Sequence, residues 1–271
     1  MEDESFNKVI SEKQSAAHRG TSIDTVDVKT TARKTDLATQ GAFSYLNTLP
    51  EFSELPPSEL KALADSCRFA LLEGGECIAH EGDSESANGF IVVSGCLAIS
   101  KSSSSGRTLI VELLQAGDVF GLMLMLSGER SIIELTARAI ESSSILWMPR
   151  AGYTRMLQRH PELLTRHVSH LLSCLQSSYR LARGLAHDKV EVRIASILSS
   201  LLLKFGGCRP SEDVRTIHFT RKQLADLTGT TPETAIRVTR AMQKNGVLTM
   251  KRPGEITILD LESLNRIAED W

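Results

Sequence analysis

The stretch TRKQLADLTGTTPETAIRVTRAMQK, Thr220 to Lys244, decides the fold of the C-terminal part of the chain. Thr220 and Gln223 have the spacing of a capping box, which starts a helix. Gly229 interrupts that helix, and Thr231 followed by Pro232 is typical of a second helix start. Two helices joined by a tight glycine turn form a helix-turn-helix.

The second helix is predicted to be amphipathic, with Ala235, Val238 and Met242 facing a core. Its outward side carries arginine and glutamate one turn apart. Arginine can donate two hydrogen bonds to guanine, and glutamate can accept one from the cytosine amine, so this face suits the DNA major groove. The predicted DNA contacts are Arg221, Lys222, Thr231, Glu233, Thr234, Arg237 and Arg240.

The distribution of charge agrees with this placement. The whole chain has a formal net charge of -2, yet residues 215–252 contain eight basic and two acidic side chains. Such a localised basic region is where phosphates would be met. The run Ile256-Thr257-Ile258 after Pro253-Gly254 predicts the hairpin of a winged helix-turn-helix, with double-stranded DNA as the partner.

Glycines recur at regular intervals in residues 68–150. Strand-like runs such as Phe90–Val93 and Ile110–Leu114 alternate with glycine turns about every ten residues. This spacing predicts an antiparallel β-barrel of the jelly-roll, or double-stranded β-helix, type. An apolar pattern from Phe43 and a helix start near Pro57 predict a short helical cap before it.

After Pro161 the apolar period becomes helical, with alternating spacings of four and three. A narrow heptad seam over three repeats favours a coiled-coil partner, so a homodimer is predicted, although packing of this helix on its own barrel is the alternative. The predicted seam consists of Leu164, Val168, Leu171, Leu175, Ser178, Ala182 and Leu185.

A hinge is predicted where this helix gives way to the next. Asp188 and Glu191 have the spacing of an N-cap and its reciprocal partner, ahead of an apolar helix through about Lys204. Gly206-Gly207 is a typical helix end. The predicted organisation is a disordered tail (1–40), a sensing barrel (41–158), a dimerisation helix (159–186) and a winged helix-turn-helix (187–271), an α+β fold overall.

Composition excludes several other classes. The chain of 271 residues contains 41% hydrophobic and 24% charged residues, which is typical of a globular protein. No apolar run approaches the roughly 20 residues that span a bilayer, and the acidic N-terminus differs from a secretion signal, so a cytoplasmic location without a membrane partner is expected. Five widely spaced cysteines match neither a disulfide framework nor a metal motif. No catalytic constellation appears, and no enzyme activity is expected.

The order of a barrel, a long helix and a winged helix-turn-helix resembles the CRP/FNR family of bacterial transcription regulators. The resemblance covers residues from about 43 to 271 and is carried by the motifs His80-Glu81-Gly82-Asp83, Gly117-Asp118-Val119-Phe120-Gly121 and Thr231-Pro232-Glu233-Thr234-Ala235-Ile236-Arg237. It implies that Glu233 and Arg237 read a TGA-type core in each half of a palindrome, and that RNA polymerase is a further partner. Pro232 and Ile236 differ from the residues of the cyclic-AMP and oxygen-sensing branches, which leaves the operator sequence open.

The resemblance also bears on the effector. Positions that would bind an effector are Gly121, Leu122, Arg130, Ser131, Ser177 and Ser178. In the cyclic-nucleotide branch a glutamate that binds the ribose follows this glycine, but Leu122 cannot accept that hydrogen bond. Arg130-Ser131 stands about three residues early for the phosphate contact, so a cyclic nucleotide is not expected.

Other cofactors are weighed in the same way. The first 66 residues contain no cysteine, which argues against an iron-sulfur cluster. Haem stays an alternative through His160, His167, His170 or His187, although no metal site is assigned. A thiol sensor would need a cysteine with a depressed pKa. The rival function is a cyclic-nucleotide-binding module that acts on a protein partner.

Overall fold

The computed structural model describes residues 36–82, 88–122, 125, 133–205 and 215–269. The N-terminal half contains helices α1 (Asp36–Thr48) and α2 (Pro57–Ala64), strands β1 (Arg68–Leu72), β2 (Cys77–Ala79), β3 (Gly89–Ser94), β4 (Leu97–Ser102), β5 (Thr108–Leu114), β6 (Val119–Phe120), β7 (Thr136–Ala139) and β8 (Ser143–Met148), and helix α3 (Arg150–Arg159). The C-terminal half contains helices α4 (Pro161–His187) and α5 (Val190–Phe205), strand β9 (Thr216–His218), helices α6 (Arg221–Thr228) and α7 (Pro232–Lys244), strands β10 (Leu248–Thr249) and β11 (Glu255–Ile258), and helix α8 (Leu261–Glu269).

Two antiparallel sheets form the barrel. Among the described residues, one sheet has the order β1-β8-β3-β6 and the other β2-β7-β4-β5, which is the predicted jelly-roll arrangement. Leu97, Ile99 and Leu114 lie in the apolar core between the sheets. The glycine turns have the expected backbone, since Gly95 and Gly117 both have positive φ.

A helical cap closes one end of the barrel. Leu46 and Phe52 are fully buried there with Leu60 of α2 and Tyr153 of α3. Helix α1 begins at Asp36, so the predicted tail of residues 1–40 extends too far at its C-terminal end. Residues 1–35 lie outside the described part of the chain.

The long helix α4 contains 27 residues and is followed directly by α5. The predicted capping role of Asp188 is wrong, because α5 begins at Val190 and the N–H of Arg193 bonds to the carbonyl of Lys189. Asp188 instead ends α4 in extended backbone, and its N–H bonds to the carbonyl of Gly184. The predicted helix end at Gly206-Gly207 lies outside the described residues.

The C-terminal unit is a winged helix-turn-helix. Helices α6 and α7 pack with α5 and with a three-stranded sheet of order β10-β11-β9. Helix α8 packs along α5 and buries Leu264. Within the described residues, no helix has both the length and the apolar character needed to cross a membrane.

Candidate nucleic-acid interface

The helix-turn-helix has the local hydrogen bonds that its sequence predicts. The N–H of Gln223 donates to Oγ1 of Thr220 at 3.2 Å, and the N–H of Thr220 donates to Oε1 of Gln223 at 2.7 Å. Gly229 ends α6 in the left-handed region, at φ 61° and ψ 37°. The N–H of Thr234 donates to Oγ1 of Thr231, which caps α7. These bonds set where both helices begin, and therefore which side chains of α7 face outward.

Helix α7 is amphipathic as predicted. Ala235, Val238 and Met242 are buried against the core of the unit. Thr239 is also fully buried, although a polar residue at this position does not predict burial from the sequence. Its hydroxyl donates to the carbonyl of Ala235 at 2.8 Å. A buried hydroxyl bonded to the preceding turn has its hydrogen-bonding need met within the helix.

The opposite side of α7 faces solvent and brings together three of the predicted DNA contacts. Glu233, Arg237 and Arg240 are exposed along it. The N–H of Glu233 itself and the hydroxyl of Thr231 hold the pKa of the Glu233 carboxyl below its usual range. The carboxylate is thus an ionised hydrogen-bond acceptor at neutral pH, as contact with a cytosine amine requires.

The remaining predicted contacts are placed differently. Arg221 is half-buried, and its Nε has no hydrogen-bond partner although it is shielded from solvent. Lys222 is exposed and forms an ion pair of 2.7 Å with Asp226 one turn later. Thr231 is exposed and caps α7, while Thr234 is half-buried beside it. These four side chains are not part of the outward row of α7.

Basic side chains outside α6 and the outward row of α7 extend the surface. Lys251 and Arg252, in the turn between β10 and β11, are exposed, as is Lys244 at the end of α7. These three residues are not among the predicted DNA contacts, although the excess of basic residues in 215–252 already indicated them in the sequence. The wing and α7 together present a positive surface of the kind that contacts phosphates.

The outer face of α4 exposes a row of large apolar side chains. Of the predicted seam, Leu164, Val168, Leu175 and Leu185 are exposed and apolar, and Ser178 and Ala182 are exposed beside them. Leu171 instead packs, partly buried, on the core of its own barrel. The exposed Leu172 and Tyr179 were missed, although their four-residue spacing from Val168 and Leu175 placed them on the same stripe.

The structure describes four of the six predicted effector positions. Gly121 has φ 85° and Leu122 is buried in the apolar cluster under the helical cap. Ser177 accepts from Nη2 of Arg180 at 2.8 Å, and Ser178 donates to the carbonyl of Cys174 at 3.0 Å. Arg130 and Ser131 lie outside the described residues.

A cavity of about 340 Å³ lies between the cap, the turn before β6 and α4. Its described lining does not include Gly121 or Leu122, and it combines the carboxylates of Glu51 and Asp118 with the guanidinium of Arg166. Its lining consists of Pro50, Glu51, Gly117, Asp118, Val119, Arg166 and His167.

Two cysteines and two histidines that could sense a signal are buried or have hydrogen-bond partners. Burial raises the pKa of the thiols of Cys67 and Cys174 to about 12, the opposite of what a reactive thiol needs. His167 is buried against the hydroxyl of Tyr153, and His160 pairs with Glu162 at 3.0 Å. In the part of the chain that the structure describes, no three His, Cys, Asp or Glu residues form a group that could hold a metal ion.

Comparison with known proteins places both halves of the chain. Residues 71–160 match the cyclic nucleotide-binding domain, and residues 192–267 match the Crp-like helix-turn-helix domain. A cyclic AMP receptor protein from Thermus thermophilus is 28% identical over 220 residues, which are 81% of this chain and 96% of that protein. A global nitrogen regulator from Synechococcus elongatus is 24% identical over 194 residues, 72% of this chain and 86% of that protein.

The structure of FixK2 from Bradyrhizobium japonicum shares the fold, with a TM-score of 0.65 and 21% identity over 76% of this chain and 98% of that one. The resemblance in the order of domains, the two matched domains and the shared fold agree with one another. The chain belongs to the CRP/FNR family of transcription regulators, with a cyclic nucleotide-binding-like barrel and a helix-turn-helix DNA-binding domain.

Proposed function

We propose that this regulator acts as a homodimer that binds a palindromic DNA operator through helix α7. The observation that carries the proposal is the outward row of Glu233, Arg237 and Arg240, held in place by a capped helix above a basic wing. A helix-turn-helix places the N-terminal residues of its second helix against base edges. Glu233 and Arg237, one turn apart, would read neighbouring bases, with Arg237 donating to guanine.

The dimer would form along α4. Leu164, Val168, Leu172, Leu175 and Tyr179 present an apolar stripe that an isolated monomer would leave in water. A coiled coil of two copies covers such a stripe and relates the two DNA-binding units by a twofold axis. Their recognition helices would then meet half-sites about 34 Å apart, one turn of the duplex.

The barrel would be the sensing domain. Leu122 is a poor fit to a cyclic nucleotide, because a buried hydrocarbon stands where that branch of the family has its ribose-binding carboxylate. Of the four histidines that could hold a haem iron, His160 and His167 already have other partners. An absorption spectrum and a native mass spectrum of protein purified without oxygen would identify a bound effector. RNA polymerase is the proposed protein partner at the promoter.

The substitution Arg237→Ala tests the role of α7. Loss of a bidentate contact to guanine should weaken operator binding by about 1–3 kcal/mol and relax the preference at one base pair. The operator would be selected from random DNA with the wild-type protein, and affinities measured by fluorescence anisotropy.

Arg266→Ala is the matched control, because Arg266 is an exposed arginine on α8 that pairs with Glu262. It should leave the affinity unchanged. An equal loss on operator and random DNA for Arg237→Ala would contradict base reading. A wild-type protein that selects no sequence would favour a protein partner instead.

A further inference from the structure

The DNA-binding unit is docked on the outer face of the barrel. Along β4, Leu97 and Ile99 point into the barrel core, so Ala98 between them faces outward. Ala98 is nevertheless buried, and it belongs with Ile110 and Leu113 of β5 to one apolar cluster that continues into the core of the helix-turn-helix. An outer sheet face that water would normally cover is therefore an interface between the two domains.

The ammonium group of Lys204 spans this interface. Nζ of Lys204, in the last turn of α5, donates to the carbonyl of Leu113 at 2.5 Å and lies 3.3 Å from Oδ2 of Asp118. Both charged side chains are about one-third exposed. Lys204 belongs to the DNA-binding unit, whereas Leu113 and Asp118 belong to the barrel. We call this group of three residues the interdomain clamp.

The helix-turn-helix turn is seated against the same side. A Cβ on Gly229 would lie 2.5 Å from Cδ2 of Leu185, at the end of α4, and 3.4 Å from Cδ1 of Leu109, in β5. The guanidinium of Arg193 bonds to the carbonyls of Asp188 and Thr228, both at 2.9 Å, and so joins the hinge to the end of α6. The unit is thus held at its hinge, at its turn and at the clamp.

Docking leaves the DNA-facing surface open. Glu233, Arg237 and Arg240 are exposed in the docked arrangement, as are Lys251 and Arg252 of the wing. A dimer on a palindrome must place two units at once, and units held in a fixed orientation lose less freedom on binding than units that swing on a hinge. Docking should therefore strengthen binding to a palindrome with two half-sites, although the residues that dock the unit on the barrel do not contact the DNA.

We propose that Lys204 is a positioning residue for DNA binding: its clamp on Leu113 and Asp118 holds each recognition helix in the orientation that a palindrome requires. This inference rests on the proposed function, since it concerns how the dimer engages both half-sites. Lys204 itself contacts the barrel and makes no contact with the DNA.

The test compares a full palindrome with a single half-site. Lys204→Met keeps a good helix former but removes the charge and the donor. The variant should bind the full palindrome at least about tenfold more weakly, because its second binding event loses effective concentration. Binding to DNA with one half-site should be unchanged, and so should the dependence of affinity on salt. Asp118→Asn should show the same pattern from the barrel side.

Lys101→Met is the matched control. Lys101 pairs with Glu81 at 3.5 Å, but both residues belong to the barrel, so this ion pair does not reach the DNA-binding unit. It should bind both DNAs as the wild type does. Equal losses on the full palindrome and the half-site for Lys204→Met would mean that Lys204 contacts DNA or supports folding. No change, or a gain on the palindrome, would also overturn the inference.

Two thiols report docking independently of DNA. Cys96 is buried in the cluster that the two domains share, whereas Cys67 is buried in the cluster under the helical cap. Lys204→Met should raise the rate at which a maleimide labels Cys96, followed by peptide mass spectrometry, and leave Cys67 unchanged. A palindrome-specific loss of affinity without faster labelling of Cys96 would show that the clamp does not hold the unit. If the wild-type protein binds no palindrome, the proposed function fails before the clamp is tested.

Discussion

At Gly121 the backbone leaves no room for a side chain. Its φ is 85°, and a Cβ there would lie 2.7 Å from the carbonyl oxygen of Asn88 and 2.9 Å from Cα of Gly89. Gly75 has a similar φ of 96° but nothing within 4 Å of its Cβ position. The two glycines therefore separate the cost of the left-handed backbone from the cost of a steric collision.

Gly75→Ala should lower the free energy of unfolding by about 1–2 kcal/mol, the cost of a left-handed alanine. Gly121→Ala should lose that amount and about 1–3 kcal/mol more, because β3 and the turn after β6 must separate. Urea unfolding followed by tryptophan fluorescence measures both. Equal losses in the two variants would show that the backbone near Gly121 moves aside at little cost in free energy.

At the scale of single elements, helix α4 exposes an apolar face that a partner would cover. Leu172→Glu places a charge in the apolar stripe and should convert the proposed dimer to a monomer, because an unpaired buried carboxylate is strongly unfavourable. Ser173→Glu is the control on the same turn, since Ser173 is exposed on the side away from the heptad seam. Sedimentation velocity at micromolar concentration distinguishes the species. A Leu172→Glu protein that still sediments as a dimer would place the interface elsewhere.

Leu172 is a better site for this test than Leu171. Leu171 packs partly on the core of its own barrel, so a charge there would disturb the monomer as well as the dimer. The apolar spacing of α4 alone does not show which of the two residues faces a partner, since it placed Leu171 in the predicted seam and Leu172 next to it. Because the barrel partly covers Leu171, Leu172 is the one that remains exposed for a partner.

At the scale of the whole molecule, charge is strongly uneven. A chain of formal net charge -2 places eight basic and two acidic side chains in residues 215–252. Removing both wing charges, Lys251→Ala with Arg252→Ala, should reduce the slope of log affinity against log salt by about 2 and weaken operator and random DNA equally. A salt titration of the anisotropy measures this.

The matched control removes two exposed basic residues from the barrel domain, Lys61 and Arg155. These lie far along the chain from the wing and should leave the slope unchanged, because counterion release counts only charges at the phosphates. If both double variants reduce the slope alike, the DNA responds to the overall charge of the protein and the wing makes no specific contact.

Much of this protein is predictable from local sequence. The capping box at Thr220, the left-handed Gly229 and the cap at Thr231 are formed by residues at most three apart, so their chemistry is readable without a fold. The same holds for the glycine turns of the barrel and for the hairpin of the wing. The outward row of α7 follows from these caps and a 3.6-residue period.

Where the prediction was wrong or incomplete, other contacts override the local sequence pattern, some within the same helix and some with the barrel. Asp188 has the sequence of an N-cap, but the end of α4 takes it as a C-cap. Thr239 is polar yet buried, since a hydrogen bond to the preceding turn lets it pack in the core. Leu171 belongs to the heptad, yet the barrel covers part of it.

The sequence by itself therefore determined the order of domains, the helix-turn-helix, the basic surface and the apolar stripe of α4, because each depends on neighbouring residues or on a single period. Only the tertiary structure decided that the outer face of β4 and β5 carries the DNA-binding unit, and that Lys204 meets Leu113 and Asp118. Those partners are about ninety residues apart, and no local pattern specifies which buried face of a strand meets which domain.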